Sequence, residues 1–244
     1  MDLRNCTKQE LSQMPYEYVC EAYYQHNPNA VWILGVFFRH GKNGAPQNYE
    51  KARQLLEIAY EYEGAGSGFI LGNIYEEGLG TTVDLKKAED YYCAFSEETH
   101  DPTGYSAAAF LYLKNENLPN RDEKIPEYLK KSEALGGCPL SDTLIGQLYI
   151  AGTPDFPKDI NKAVFYLERS KNYKILGDLF SDEKNIEPNY KLASYYYELG
   201  MSDNMDCCAK YAFLNLYYGS INESWTNVPK GCLLYTSPSP RDTR

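Results

Sequence analysis

The sequence predicts an all-α fold, a right-handed α/α solenoid of stacked helix hairpins. Three observations predict it. An anchor recurs at Gly35, Gly72, Ala109, Gly146, Gly177 and Leu214, at steps of 37 residues apart from one step of 31. The residue three after each anchor is aromatic (Phe38, Tyr75, Tyr112, Tyr149, Phe180, Tyr217), and the residue before it is apolar. A second anchor follows 16 or 17 residues later, at Ala52, Ala88, Pro126, Ala163 and Ala193, with Leu55, Tyr91, Leu129, Tyr166 and Tyr196 three residues beyond. Self-similarity at a fixed period of this length marks an array in which each unit buries its apolar face against its neighbours.

Each period reads as two helices, A around the first anchor and B around the second. Residues 1–28 form an N-terminal half repeat, with Pro15 and Tyr18 in the place of a B helix. Residues 29–219 hold five repeats and a final A helix over 208–218. In the second repeat Leu71 and Tyr75 are i and i+4 and share a face. Gly72 between them costs about 1 kcal/mol of helix propensity, repaid if a neighbouring helix comes close. Gly78 and Gly80 stop helix A as left-handed caps. Asp84 caps helix B, and Asn48, Asp122, Asp159 and either Glu187 or Asn189 are expected to do the same in other repeats. Pro15 and Pro126 are placed in the first turns of their helices, where proline is tolerated. From Ala163 to Gly177 the spacing is only 14 residues, against 20 or 21 elsewhere. This locates a deletion in the turn between B and A, with a kink or tightened packing near 170–173. Residues 220–244 have no helical period. The Ser- and Pro-rich 233–244 reads as disordered and as a non-native scar of translated adapter sequence, with further native repeats expected in its place.

The run Leu71-Gly72, Tyr75, Gly78, Gly80, Val83, Asp84, Lys87-Ala88 and Tyr91-Tyr92 resembles the Sel1-like repeat, a relative of the tetratricopeptide repeat. Leu34-Gly35, Gly41 and Lys51-Ala52 carry the resemblance in the first repeat. Gly146, Tyr149, Gly152, Asp159, Lys162-Ala163 and Tyr166 carry it in the fourth. The third repeat departs at Ala109 and Pro126, and the fifth lacks the glycine-rich loop. The resemblance implies scaffolds and adaptors rather than enzymes.

Composition narrows the partners. The net charge of −10 and pI near 4.9 argue against nucleic acid or an anionic membrane as the main partner. No apolar run reaches the length of a membrane span, and no secretory signal opens the chain, so a cytoplasmic location is expected, with the endoplasmic reticulum lumen if the chain is a fragment. The seven cysteines form no CxxC pair and are expected to be reduced. The acceptor patterns at Asn5 and Asn222 are common by chance. His26, His40 and His100 have no partner at metal-ligand spacing, and no GxSxG, HExxH or phosphate loop occurs. No metal, cofactor or catalytic residue is therefore expected.

What remains is a surface. By the resemblance, the residues one and four after each A anchor should face the concave wall: Val36, Asn73, Phe110, Gln147 and Asp178, with Arg39, Glu76, Leu113, Ile150 and Ser181. Of these, Val36, Arg39, Asn73, Glu76, Phe110, Gln147, Ile150 and Asp178 are the candidate partner-binding residues. An acidic groove of mixed polarity would suit an extended peptide or a partner helix. The expected function is a non-catalytic protein-interaction scaffold or adaptor. The alternatives are an adaptor of endoplasmic-reticulum-associated degradation, and a hydrolase or hydrolase regulator with an unrecognised site.

Overall fold

The computed structural model describes residues 2–217; the expectations for 220–244, Asn222 and Cys232 among them, lie outside the described residues. Among the described residues every regular element is helical. A short α1 (Lys8–Ser12) and α2 (Tyr16–Tyr24) are followed by the hairpins α3 (Pro28–His40) with α4 (Tyr49–Glu63), α5 (Gly68–Glu77) with α6 (Leu85–Thr99), and α7 (Thr103–Lys114) with α8 (Arg121–Ala134). Then come α9 (Pro139–Ala151) with α10 (Ile160–Arg169), α11 (Tyr173–Ser181) with α12 (Tyr190–Gly200), and α13 (Met205–Tyr217). Contacts divide the chain into two compact units, Met1–Ser141 and Asp142–Arg244, a division inside α9 that the repeat arithmetic does not reveal.

The first-anchor glycines sit where helix A meets helix B of the same repeat. A methyl group on Gly72 or Gly177 would overlap the ring of Tyr92 or Tyr197, and on Gly35 or Gly146 it would stand 2.7 Å from Leu56 Cγ or Leu167 Cγ. The facing residue is in each case four beyond the second anchor. One position earlier on helix B, the recurrent aromatics stack: Tyr75 on Tyr91 at 5.6 Å, Tyr149 on Tyr166 at 5.9 Å, and Phe180 on Tyr196 at 5.7 Å between centroids. The lysine before the second anchor covers the free face of the A-helix ring. Lys51 lies 5.5 Å from the Phe38 centroid, Lys87 4.9 Å from Tyr75 and Lys162 5.2 Å from Tyr149. The Lys-Ala pair of the repeat thus has a physical role, a cation over a ring beside a small residue at the helix contact.

The A–B loop closes the same way in four repeats. The N–H of the B-helix cap donates to the carbonyl of the A-helix aromatic: Asn48 to Phe38 (2.7 Å), Asp84 to Tyr75 (2.9 Å), Asp159 to Tyr149 (3.0 Å) and Asn189 to Phe180 (2.8 Å). The side chains of these four residues accept from the backbone three residues on. Asn189, not Glu187, is the cap. The third repeat differs. There the Arg121 side chain, through Nε, donates to the Tyr112 carbonyl at 3.1 Å in place of a backbone N–H. Gly78 ends α5 with φ 68°, as a left-handed cap should.

Four expectations need correction. Asp122 does not cap α8, because the helix starts at Arg121 after a left-handed Asn120, which leaves Asp122 in the first turn. Pro126 lies inside α8 rather than in its first turn. Pro15 is the N-cap of α2, one residue before the helix. The deletion is not in the turn. Three residues, 170–172, join α10 to α11, as many as the 100–102 that join α6 to α7. Relative to that pair, α10 is five residues shorter after its anchor and α11 two shorter before its own.

The N-terminal half repeat closes the first unit. Leu3, Leu11, Val19 and Ala22 share one buried cluster with Ala30, Ile33, Leu34 and Phe37 of α3. Asn27 locks this join, donating from Nδ2 to the carbonyls of Leu3 (2.6 Å) and Cys6 (2.9 Å) while its Oδ1 caps α3.

Gly72→Ala is expected to destabilise the chain by about 1–3 kcal/mol through overpacking, although alanine is the better helix former. Chemical denaturation measures it. Unchanged or higher stability would mean that the Tyr92 ring does not hold the two backbones at this separation.

Candidate functional site

The candidate residues lie on the A helices, where in the first unit buried tyrosine hydroxyls bond to carboxylates. Tyr92 of α6 donates to Glu76 of α5 at 2.8 Å, and Lys114 of α7 reaches the same carboxylate at 3.3 Å. Arg39 of α3 lies near enough for its charge to act on the Tyr92 hydroxyl. The faces of three successive A helices therefore present Arg39, Glu76 and Lys114, alternating in sign. Burial, then Glu76, pushes the Tyr92 hydroxyl far above its ordinary pKa, so it stays a donor. Beside this line Tyr75 donates to Glu57, which also pairs with Arg53 at 2.7 Å.

Glu89, one residue after the second anchor, is 4 % exposed. It accepts from Tyr112 at 3.1 Å and from Tyr128, and pairs with Lys86 at 3.0 Å and Lys124 at 3.7 Å. Burial pushes its carboxyl upward, but Tyr128, Lys86 and Tyr112 together hold it below the usual carboxylate range. Burial likewise raises the nearby Cys93 thiol to about 11, so it is not a ready nucleophile.

The second unit repeats the device around Asp178. It accepts from Tyr197 at 2.7 Å, Lys174 at 2.7 Å and Lys210 of α13 at 2.6 Å, while Asp206 holds both lysines. Burial raises this carboxyl, and the two lysines with Tyr197 bring it below the ordinary range. Ser181 meets the Tyr197 hydroxyl at 3.0 Å, beside a crevice of about 250 Å³ lined also by Tyr190, Phe213 and Leu214.

The eight candidate binding residues fall into three groups. Glu76 and Asp178, which were to make the groove acidic, are neutralised by lysines and hydroxyls and hold helices together. Val36, Arg39, Asn73 and Ile150 are half-buried, and Asn73 turns its amide to the Phe69 carbonyl at 2.8 Å. Phe110, 43 % exposed, and Gln147 stand out from their helices. Leu113 is half-buried. Sequence reasoning missed Lys114, Lys210, Tyr92 and Tyr197 as partners of the acids. The tyrosine four after the second anchor, at Tyr92 and Tyr197, was the available signal; the acids themselves hold no common position, Glu76 being four after its anchor and Asp178 one. Among the described residues no group of three His, Cys, Asp or Glu is arranged to hold a metal ion, and no helix is long and apolar enough to cross a membrane.

Carboxyls held down in the folded state contribute stability fully above the usual carboxylate range and lose it as pH falls through their folded values. Wild-type stability is therefore expected to fall with acidification through and below that range. Glu89→Gln should cost about 1–3 kcal/mol at neutral pH, since one acceptor of two buried hydroxyls becomes an amide, and should flatten the acid limb. A variant with an unchanged acid limb in pH-dependent unfolding would contradict the assignment.

Comparisons with known proteins agree with the repeat boundaries. A family model described as the Sel1 repeat matches residues 28–61, 69–100, 140–172 and 176–201, which are repeats one, two, four and five. A Sel1 repeat protein from Oxalobacter formigenes is similar in structure with a TM-score of 0.70 at 17% identity, over 94% of this chain and 97% of that one. A protective antigen of uropathogenic Escherichia coli with an SLR fold gives 0.68 at 17%, over 88% of this chain and 46% of the antigen. At these identities the likeness concerns the fold alone. In sequence the chain is 26% identical over 178 residues to cytochrome c oxidase assembly factor 7 from Xenopus tropicalis, covering 70% of this chain and 75% of that protein. With just over half of its residues matched by the family model, and its helix hairpins built on the anchors of that repeat, the chain belongs to the Sel1 repeat family.

Proposed function

We propose that the protein is a non-catalytic scaffold that binds a protein or peptide partner along the outward faces of its A helices. Membership of the Sel1 repeat family supports the class, since such repeats generally serve protein interaction. The observation that carries the reading is the division of labour on these faces. The carboxylates are spent on holding helices, while Phe110 and Gln147 stand exposed and Arg39 and Lys114 flank the first-unit face. A partner helix or strand with an apolar anchor for Phe110 and an acidic residue near Arg39 fits this pattern better than the basic partner that an acidic groove would select.

The 26% likeness makes the assembly of cytochrome c oxidase the first pathway to test. The cytoplasmic assignment stays part of this proposal and is read by cell fractionation.

The test is affinity capture from matched cells with the whole chain, beside the double variant Arg39→Glu, Phe110→Ala. A specific partner held by the first and reduced at least about tenfold in the second, at equal helicity, supports the reading. Assembly proteins or subunits of cytochrome c oxidase among the captured proteins would fix the pathway, and degradation components of the endoplasmic reticulum would favour the other adaptor role. Equal capture by both chains would contradict the A-helix face.

A further inference from the structure

The first unit carries a second surface, at the edge where its B helices end. A crevice of about 770 Å³ opens between the C-terminal turn of α2, the start of α3 and the C-terminal turn of α4, walled by Tyr23, Tyr24, Val31, Ile58 and Tyr62 with Glu61 on its rim. Its rings are left in water: Tyr24 is 78 % exposed and Tyr62 84 %. Tyr23 and Tyr24 stand edge to face at 5.8 Å, so the wall is angled rather than flat. Exposed aromatics gathered at one place on a soluble chain mark an interaction site more often than scattered ones do.

The charge around the crevice selects the occupant. Among the described residues no Lys or Arg lines it, and His26 is the one basic side chain in its lining. Both α2 and α4 end here without a basic residue in the last turn, and Glu21 and Glu61 occupy those turns instead. Carboxylates beside the negative end of a helix are locally unfavourable. Glu21 is held by Gln25, whose Nε2 donates to it at 3.0 Å, so Glu61 is the carboxylate that breaks the local rule, and such a break points to function. Glu61 forms no ion pair among the described residues. The start of α3, whose positive end also faces this edge, is already satisfied by the Asn27 side chain and by Pro28 at its first position.

We propose that this crevice binds an extended peptide segment of a protein partner that alternates arginine and proline. Arginine would pair with Glu61 and stack on Tyr62 or Tyr24. Proline rings would pack between the tyrosines, whose hydroxyls donate to the peptide carbonyls. A segment already extended in the free state loses little entropy on docking in an aromatic-lined groove. The surface lies apart from the A-helix face, and the proposal does not rest on that reading.

The experiment measures fluorescence anisotropy of a labelled twelve-residue peptide repeating Arg-Pro-Pro, titrated with the whole chain. Peptides of equal length repeating Glu-Pro-Pro and Arg-Gly-Ser run beside it. Tyr24→Ala and Tyr62→Ala alter exposed side chains, so the fold is expected to survive, and helicity checks this. Tyr195→Ala, an exposed tyrosine of the second unit, is the control for general stickiness of an acidic chain. Saturable binding of Arg-Pro-Pro is expected, weakened about fivefold to tenfold by either crevice variant and by Glu61→Lys, and unchanged by Tyr195→Ala. The proposal is overturned if Glu-Pro-Pro or Arg-Gly-Ser binds as tightly, if Arg-Pro-Pro does not bind, or if the crevice variants bind like the wild type.

Discussion

The structure depends on how closely helix A approaches helix B, an approach made at an anchor glycine in four of the five repeats. At Gly72 and Gly177 the backbone lies directly against a tyrosine ring, and at Gly35 and Gly146 against a leucine. A close-packed interior leaves no room for a methyl group there without moving one helix. The other regularities follow from this separation. The aromatics three residues beyond each anchor come within stacking range, the lysine before the second anchor lies over the first ring, and the cap of helix B reaches back to the carbonyl of the aromatic. One contact thus sets the geometry for stacking, cation placement and loop closure.

The tyrosines that this packing buries bring a polar problem with them. A phenol taken out of water needs an acceptor, and the chain supplies Glu57, Glu76, Glu89, Glu168 and Asp178. Lysines from neighbouring helices reach Glu76, Glu89 and Asp178, and Arg53 of the same helix pairs with Glu57, so these charges are internal fastenings. The same architecture is compatible with many partners, and family membership by itself names none.

Much of the fold was legible in the sequence because its determinants are local or periodic. Asn48, Asp84 and Asp159 cap helices, and Gly78 ends one, as their residue types and positions require. Asp122 failed because the left-handed Asn120 precedes α8 and the helix starts at Arg121; asparagine favours that region without requiring it. The deletion was misplaced because a spacing between anchors counts residues without saying which side of a turn loses them. The candidate site was less legible. The partners of Glu76, Tyr92 and Lys114, come from two other helices at separations with no helical period, so only three-dimensional packing brings them together. The exposed tyrosines at 23, 24 and 62 belong to no repeat position, and repeat arithmetic passes over them.

The most direct test of the central contact is a double-mutant cycle at Gly72 and Tyr92. Unfolding free energies are measured for Gly72→Ala, Tyr92→Ala and the pair. If the ring fills the space of the missing methyl group, removing it relieves the strain of alanine, and the pair is more stable than the sum of the single effects by about 1 kcal/mol or more. Additivity within about 0.5 kcal/mol would show that the two residues do not share that space, and would contradict the account of how each repeat is held together.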